Sequence, residues 1–475
     1  MLIAGAARAL IDPPLPHDPQ GYVRRETPAQ RHGDPLQITA VALTGRAGAA
    51  IILAADLAGL DHGAAERIRT EVAQQTGCEA SQVLLNCSHS HAAPWVRTGG
   101  GKLGGGDDTT TPVEQAYFDR LPYDFASAAR SAWRSRRQVR VSGGVGRVPG
   151  LAVNRRERWQ ERTILGWNPD GFVDEEVPVI RIDDLDGDPV ATIVAFGCHP
   201  VVVGPEVDAT GTDYVGPLRR RVDMLRGGGV CVFLQGAAGN VLPLEGFFDH
   251  DGPQQPMGER LGLEAAHAVA DADPLARTIE RIPFGSVSMI ALYRRSISVQ
   301  QPDQAVAAVR AIVDLPLLAA PSRGELAAER DRWAAELATA NAENAPRART
   351  NPMRYHLNWA EAMLARGSLD GWTHSAGEVW AMRVGDCAVV GMPGEIFSEI
   401  GHAVRIGSPF TTTLVAGYSQ GILGYVSTPA EYVHGGYEPA VAHRGYDHPA
   451  PFAPEAADLL ITTATDLLTR LAQAT

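Results

Sequence analysis

The segment Val83-Leu-Leu-Asn-Cys-Ser-His-Ser-His91 indicates the fold class, because a short apolar run leads directly into two histidines. An apolar run of this length beside polar residues is typical of a buried strand. The segment therefore predicts a strand that delivers His89 at its carboxyl end. On an extended backbone, His89 and His91 would point to the same face. Both could bind one metal, or one could bind while the other moves protons. Histidines at strand ends also often only satisfy nearby backbone groups.

The same pattern of an apolar run followed by polar residues recurs along the chain. Strands are predicted at 38–43, 50–55, 177–182, 191–196, 230–234 and 379–390, and helices at 62–75, 257–271, 322–341 and 454–472. His199 follows one predicted strand, and Glu395 follows another in Pro393-Gly394-Glu395. Strand ends are the usual place for a site on an α/β sheet. No internal repeat is found in the sequence. The order predicts a mixed α/β fold with a large central sheet flanked by helices, in one domain spanning 1–475, with 318–350 as a helical insertion.

Composition restricts the classes of partner. The net charge is −13, which argues against nucleic acid or an anionic membrane surface. No apolar run approaches the roughly 18 residues that cross a bilayer, and no signal peptide is recognised. The five cysteines lack a CxxC spacing, as expected for reduced thiols. These features predict a cytoplasmic protein without membrane insertion; they do not indicate its oligomeric state.

Taken singly, the candidate site residues have ordinary structural interpretations. His199 alone is more often structural, and Tyr425 alone is more often a core aromatic. Glu395 could cap a helix that begins near residue 396. The metal hypothesis depends on His89, His199, Glu395 and Tyr425 all lying at strand ends, close to one another. Two histidines, a carboxylate and a tyrosine would hold one zinc ion and leave room for a water.

Three other residues close to the candidates have two interpretations each. Asp56, at the end of a predicted strand, could fix the tautomer of a ligand histidine or could cap a turn. Cys87 and Cys198 flank histidines and could suggest cysteine catalysis, but burial is the better interpretation. The glycine-rich stretch at 97–112 could be a mobile lid or a surface connection.

Several blocks, in this order, make the chain resemble the neutral/alkaline non-lysosomal ceramidases, a family of zinc-dependent amidases. The matching blocks are Leu84 to Pro94 with its His-x-His, Asn154-Arg155, Ala195-Phe-Gly-Cys-His199, Thr212-Asp-Tyr214, Pro393-Gly-Glu-Ile-Phe397, and Tyr425-Val-Ser-Thr with Glu431-Tyr432 and Tyr437-Glu438. The blocks span most of the chain, and their shared order is more specific than any one of them.

The resemblance implies roles for seven residues. It makes His89, His199, Glu395 and Tyr425 the ligands of one zinc ion per chain. It makes His91, Arg155 and Tyr437 the polar partners of the substrate carbonyl and the nucleophile.

The chain departs from the family in one block that carries chemistry. Where the family has Gly-Asp-Val-Ser-Pro with a catalytic serine, this sequence has Gly239-Asn-Val-Leu-Pro243. Leu242 has no nucleophilic oxygen. The family's C-terminal β-sandwich is also not recognised here. The resemblance thus predicts a divergent member with the catalytic domain only, in which a water activated by zinc attacks the substrate. His91 would move protons, and Arg155 and Tyr437 would stabilise the oxyanion.

The functional prediction is a zinc-dependent amidohydrolase acting on a small or medium soluble acyl compound, and not on ceramide. Three alternatives remain open. One is an ester or lactone hydrolase, and another is an acyl transferase using the same site. The third is a non-catalytic relative that binds a ligand or keeps the metal for structure.

Overall fold

The structure, a computed structural model, describes residues 1–98, 110–272, 276–283, 290–298 and 305–473. Most of the glycine-rich stretch at 97–112 therefore lies outside the described residues. The strands are β1 (Ile3–Leu10), β2 (Arg31–His32), β3 (Gln37–Thr44), β4 (Ala49–Ala55), β5 (Gly59–Leu60), β6 (Val83–Cys87), β7 (Trp95–Val96), β8 (Arg137–Arg147), β9 (Ala152–Trp159), β10 (Arg162–Asn168), β11 (Glu176–Asp184), β12 (Pro189–Phe196), β13 (Ala209–Thr210), β14 (Val230–Gln235), β15 (Val241–Pro243), β16 (Ala276–Ile282), β17 (Leu292–Ser298), β18 (Val306–Pro316), β19 (His374–Val384), β20 (Cys387–Gly391), β21 (Glu395–Ile396), β22 (Thr412–Ala416) and β23 (Tyr425–Val426).

The helices lie between and after these strands. The α-helices are α1 (His62–Thr76), α2 (Pro112–Arg134), α3 (Val215–Arg226), α4 (Gln254–Asp271), α5 (Arg323–Ala342), α6 (Arg347–Ala365), α7 (Ser398–Ile406), α8 (Tyr437–Ala440) and α9 (Glu455–Gln473), with 3₁₀ helices at Ala80–Gln82, Pro429–His434 and Ala442–Tyr446. In the described part of the chain, none of the helices has the length and apolar character needed to cross a membrane.

Three successive units share one topology. Each has three neighbouring antiparallel strands, then a helix, then a fourth strand parallel to the third. The first unit is β1, β3, β4, α1 and β6; the second is β8, β11, β12, α3 and β14; the third is β18, β19, β20, α7 and β22. The first two units join through β1 and β8 into an eight-stranded sheet, and the third forms a four-stranded sheet. The structure thus contains a repeat of topology that the sequence does not show.

One apolar core joins the inner faces of all three units. Leu84 from the first unit, Val232 from the second and Trp380 from the third are fully buried in the same cluster. Helices cover the outer faces: α1 and α2 on the first unit, α3 and α4 on the second, and α7 and α9 on the third. Strands β4, β6 and β20 are buried along their whole length, and they therefore appear in the sequence as continuous apolar runs. The predicted mixed α/β architecture with a large sheet is confirmed.

Two predicted elements are wrong in their bounds. The single strand predicted at 379–390 is a hairpin of β19 and β20. Gly385 and Asp386 form its turn, and Gly385 has a φ of 57°, a conformation that glycine adopts without strain. The helical insertion predicted at 318–350 is the hairpin of α5 and α6, which continues to Ala365. The assignment of one domain over 1–475 stays a prediction.

The fourth strands of the three units meet at their carboxyl ends. The side-chain amide of Asn86, in β6, donates to the Gly417 carbonyl oxygen at 2.7 Å, just beyond β22. Its oxygen accepts from the backbone N–H of Gln235, the last residue of β14, at 2.9 Å. One buried side chain thus fixes three strand ends relative to one another. The candidate site lies beside this junction.

Asp56 has neither of the two roles considered from the sequence. Its carboxylate accepts from both terminal nitrogens of Arg219, at 3.0 and 2.6 Å, and from the Gln37 backbone N–H at 2.8 Å. Asp56 is 0% exposed and Arg219 is 5% exposed. The ion pair therefore links the first unit to helix α3 of the second.

Replacing Asp56 with alanine should lower the free energy of unfolding by about 3–5 kcal/mol, because Arg219 stays buried without its counter-charge. Denaturant titration measures the loss. Asp34→Ala is a matched control, since Asp34 pairs with the exposed neighbour Arg220 at 3.0 Å and should cost at most about 1 kcal/mol. Equal losses in the two variants would contradict a structural role for the buried pair.

Candidate active site

All of the candidate residues named from the sequence meet in one cavity of about 440 Å³. Its lining includes His89, His91, Arg155, His199, Glu395, Tyr425 and Tyr437. His89 follows β6 of the first unit, His199 follows β12 of the second, and Glu395 follows β20 of the third. Each unit therefore contributes at least one polar side chain at the end of a core strand.

His89 and His199 are held in the same tautomer by the backbone. The Nδ1 atom of His89 lies 2.6 Å from the Ala58 carbonyl oxygen, and that of His199 lies 2.7 Å from the Ala238 carbonyl oxygen. A carbonyl oxygen only accepts, so each Nδ1 carries the proton and each Nε2 presents a lone pair. Burial lowers the pKa of both histidines, that of His89 to about 4, so both are neutral at pH 7. Neutral imidazoles with a backbone-bonded Nδ1–H are typical metal ligands.

Glu395 faces these two lone pairs. Its Oε2 lies 3.1 Å from Nε2 of His199 and 3.5 Å from Nε2 of His89. Burial raises the pKa of Glu395, but the donors around it, Tyr425 among them, lower it by more, and the result is below its usual range. A carboxylate oxygen and two nitrogen lone pairs then face one another at close range. Such a donor set fits a bound cation, because the donors would otherwise repel.

His91 joins the same cluster. Its Nε2 lies 3.3 Å from Nε2 of His89, and the side-chain nitrogens of His89, His91 and His199 all lie within 4.8 Å of one another, so they could hold a metal ion. The extended backbone predicted for His89 is wrong: its φ is 63°, in the left-handed region. The chain turns at His89, and this turn, not strand alternation, brings His91 to the cavity.

Packing holds the ring of His91. The Tyr22 ring contacts it edge-on, with 4.7 Å between the ring centroids. Gly21 has a φ of 115°, and a Cβ atom there would lie 2.5 Å from the His91 ring, so only glycine fits. Within the described residues, Nδ1 of His91 is buried without a hydrogen-bond partner. This nitrogen is therefore available to exchange a proton with a ligand in the cavity.

Tyr425 reaches the cluster through a short parallel pairing. In this pairing, between β21 and β23, Glu395 lies opposite Tyr425. The Tyr425 hydroxyl is 3.5 Å from Nε2 of His199. The interpretation of Glu395 as a helix cap is wrong, because α7 begins at Ser398 and Glu395 is directed at the histidines.

Arg155 lies beside His199 and keeps one N–H group available. Its Nη1 is 3.2 Å from Nε2 of His199, and its Nε donates to Glu438 at 2.7 Å. Nη2 is buried and has no acceptor in hydrogen-bond geometry among the described residues. The ring of Tyr425 lies between Arg155 and Tyr437: the Arg155 guanidinium is 5.2 Å from its centroid, and the Tyr437 ring centroid is 5.6 Å from it. The cavity thus contains a buried cation with a free donor close to the candidate metal ligands.

The sequence did not identify several residues that complete the site. The hydroxyls of Tyr418 and Tyr446 donate to the Glu395 carboxylate, the former at 3.3 Å. Tyr418 lies in an irregular segment and Tyr446 ends a short 3₁₀ helix, so no periodic pattern marks either of them. Glu438 stands in a block noted from the sequence, but its contact with Arg155 could not be inferred from spacing.

The two cysteines beside the histidines are not candidates for catalysis. Cys87 and Cys198 are 1% and 0% exposed, and burial raises the pKa of both thiols. A buried protonated thiol is a poor nucleophile. Leu242, at the position of the family serine, is buried and lines the cavity.

Comparison with known proteins identifies the fold. No protein-family model matches this chain, and no curated protein matches its sequence. Among solved structures, the chain is similar to the neutral ceramidase from Pseudomonas aeruginosa, with a TM-score of 0.62, 16% identity, and coverage of 99% of this chain and 75% of that one. It is also similar to a ceramidase complexed with C2, with a TM-score of 0.64, 15% identity, and coverage of 99% and 76%. The chain therefore has a ceramidase-like fold, as the sequence predicted.

Proposed function

We propose, from this ceramidase-like fold, that the chain is a zinc-dependent hydrolase that cleaves an amide bond of a small or medium acyl compound with a metal-activated water. One observation carries the proposal. Two imidazole lone pairs, from His89 and His199, face a carboxylate oxygen of Glu395 in a cavity that also holds the free N–H of Arg155.

The proposed ligands are His89, His199, Glu395 and Tyr425, for one zinc ion. Nitrogen and oxygen donors of this kind suit zinc, and backbone-bonded imidazoles are its usual partners. When bound, zinc would polarise the substrate carbonyl and lower the pKa of a water from 15.7 to about 7.

The other residues act on the substrate. The free Nη2–H of Arg155 and the hydroxyl of Tyr437 would donate to the carbonyl oxygen as it gains negative charge. A donor of this kind typically contributes about 3–4 kcal/mol to the transition state. His91 would take a proton from the attacking water and pass it to the leaving nitrogen. Burial lowers the pKa of His91, so its ring is neutral before the reaction and one of its nitrogens carries a lone pair.

Leu242 supports attack by water and not by a side chain. Its side chain offers no oxygen, yet it lies in the wall of the same cavity as the proposed ligands. The acyl group would therefore pass directly to water. The C–N bond breaks, the oxygen of water bonds to the acyl carbon, and the leaving amine takes up a proton.

Elemental analysis of the purified protein, beside a Glu395→Ala variant, tests the metal site. The wild type is expected to hold about one zinc per chain after removal of loosely bound metal, and the variant is expected to hold none. Glu399→Gln serves as the control, because Glu399 accepts from Asn240 at 2.8 Å and should not affect zinc. A wild type that gains no zinc on addition would contradict the proposal, and a Glu395→Ala variant that keeps zinc would remove Glu395 from the ligand set.

A further inference from the structure

Three polar residues of the site lie on one segment that has little regular structure of its own. The 437–448 segment contains a one-turn helix, α8, and one short 3₁₀ helix. Tyr437 and Tyr446 line the cavity, and Glu438 pairs with Arg155 at 2.7 Å. Helices this short have few internal hydrogen bonds, so the position of the segment depends on what it packs against.

One face of helix α6 packs against this segment. Asn351, Tyr355 and Trp359 are four residues apart along α6, so they lie on the same side of the helix. The three side chains are 7%, 8% and 4% exposed. Each ends in a polar group that donates to a backbone carbonyl oxygen outside the helix. This face is therefore both buried and hydrogen-bonded to its neighbours.

The first and last of these donors contact two different segments of the site. The side-chain amide of Asn351 donates to the Val23 carbonyl oxygen at 3.1 Å, and Val23 lines the cavity. The indole N–H of Trp359 donates to the His448 carbonyl oxygen at 2.9 Å, at the end of the segment that begins with α8. Helix α6 therefore connects two segments of the site, and Tyr355 lies between these two contacts.

Tyr355 contacts a residue with a proposed role in the reaction. Its hydroxyl lies 3.3 Å from the Ala442 carbonyl oxygen and is hydrogen-bonded to Tyr437, the proposed oxyanion donor. A tyrosine hydroxyl both donates and accepts, so Tyr355 can donate to Tyr437 while Tyr437 donates to the substrate. A hydroxyl that accepts a hydrogen bond becomes a stronger donor itself. The contact therefore acts on both the position and the strength of the Tyr437 hydroxyl.

An ion pair also attaches the 437–448 segment to the helical hairpin of α5 and α6. The Arg444 guanidinium pairs with Glu329 of α5 at 2.5 Å, and its central carbon lies 4.4 Å from the Trp359 ring centroid on α6. Arg444 stands two residues before Tyr446, which donates to the Glu395 carboxylate. Both helices of the hairpin therefore hold the segment that carries the site residues.

We infer that Tyr355 is a positioning residue for Tyr437, and that the face of α6 formed by Asn351, Tyr355 and Trp359 holds the 437–448 segment in its active arrangement. The inference rests on the proposed function for the reaction that Tyr437 serves. Among the described residues, Tyr355 is not one of those that line the cavity. It acts through Tyr437, and not on the substrate. The helical hairpin thereby takes part in the reaction without touching the reacting atoms.

Tyr355→Phe in the zinc-loaded full chain tests the inference, because it removes the hydroxyl and keeps the ring. The variant is expected to lower kcat about tenfold, with KM and zinc content at wild-type level. Tyr432→Phe is the matched control. Tyr432 also donates to a backbone carbonyl oxygen, that of Phe452, at 2.8 Å, and its variant should keep the wild-type kcat. An unchanged kcat in Tyr355→Phe, a loss on KM alone, or an equal loss in the two variants would overturn the inference.

Hydrogen–deuterium exchange of the same proteins gives a readout that does not depend on turnover. In Tyr355→Phe the backbone amides of residues 437–446 are expected to exchange about tenfold faster than in the wild type, whereas Tyr432→Phe should leave them unchanged. Wild-type exchange rates in Tyr355→Phe would overturn the inference. A wild type without amide turnover would contradict the proposed function, and the exchange rates would still decide whether Tyr355 holds the segment.

Discussion

Replacing His89 with alanine should abolish both zinc binding and turnover, whereas replacing His91 should lower turnover by about 10²–10⁴ and leave zinc in place. The Nδ1–H of His89 is fixed on the Ala58 carbonyl oxygen, and its Nε2 lies 3.5 Å from Glu395. His91 has neither contact: its Nδ1 lacks a partner within the described residues, and packing by Gly21 and Tyr22 holds its ring. The geometry therefore favours a ligand role for His89 and a proton-transfer role for His91.

The expected losses differ in kind. Loss of a general acid–base group costs about 10²–10⁴ in rate, while loss of a ligand removes the metal on which the reaction depends. Zinc content and kcat/KM, measured on the same samples, distinguish the two outcomes. His62→Ala, on the first turn of α1, is a control that should change neither. If His91→Ala also loses zinc, His91 is a third histidine ligand, and another group must move the proton.

Replacing Glu438 with glutamine should lower kcat/KM by about 10²–10³ while zinc remains bound. Glu438 accepts from Nε of Arg155 at 2.7 Å and from Nη1 of Arg156 at 2.5 Å, and it is only 2% exposed. The two arginines donate to different oxygens of Glu438, and in glutamine one of these oxygens becomes an NH₂ group, so one arginine loses its acceptor. One guanidinium must move, and a displaced Arg155 would cost the contribution of one oxyanion donor.

Steady-state kinetics show whether Glu438 positions Arg155. The loss should fall on kcat, because Arg155 is proposed to act on the developing oxyanion, and Glu438→Asp should restore part of it. Glu431→Gln is the matched control. Glu431 accepts from Arg156 and Arg158 without contacting Arg155, so its variant should stay near wild-type activity. A loss on KM alone, or an equal effect in both variants, would contradict a positioning role.

Some elements of the fold could be predicted from the sequence and others could not. Strand β6 and helix α1 were found closely, because burial on both faces and the left-handed glycine at Gly77 leave local patterns. The β19–β20 hairpin was missed because its turn interrupts an apolar run by only two residues. The pairing of Asp56 with Arg219 could not be found, since it joins residues 163 positions apart.

The site shows the same division. The sequence could predict which residues form the site, because His89, His199 and Glu395 each follow an apolar run that reads as a strand. The reason that His91 reaches the cavity was not visible, since the left-handed backbone at His89 leaves no pattern in residue type. The donors Tyr418 and Tyr446 were also hidden, because only tertiary structure places them on Glu395.

The three-unit architecture would make affinity for the proposed metal a property of the complete fold. Since His89, His199 and Glu395 come from different units, a chain in which one unit has not docked lacks part of the proposed ligand set. An ion that binds only the native state adds about 2.7 kcal/mol of stability at a hundredfold excess over its Kd. Contacts that form only after all units have docked act on the unfolding rate more than on the folding rate. In this arrangement the ion would bind after the three units have docked, and it would mainly slow the unfolding of the shared core.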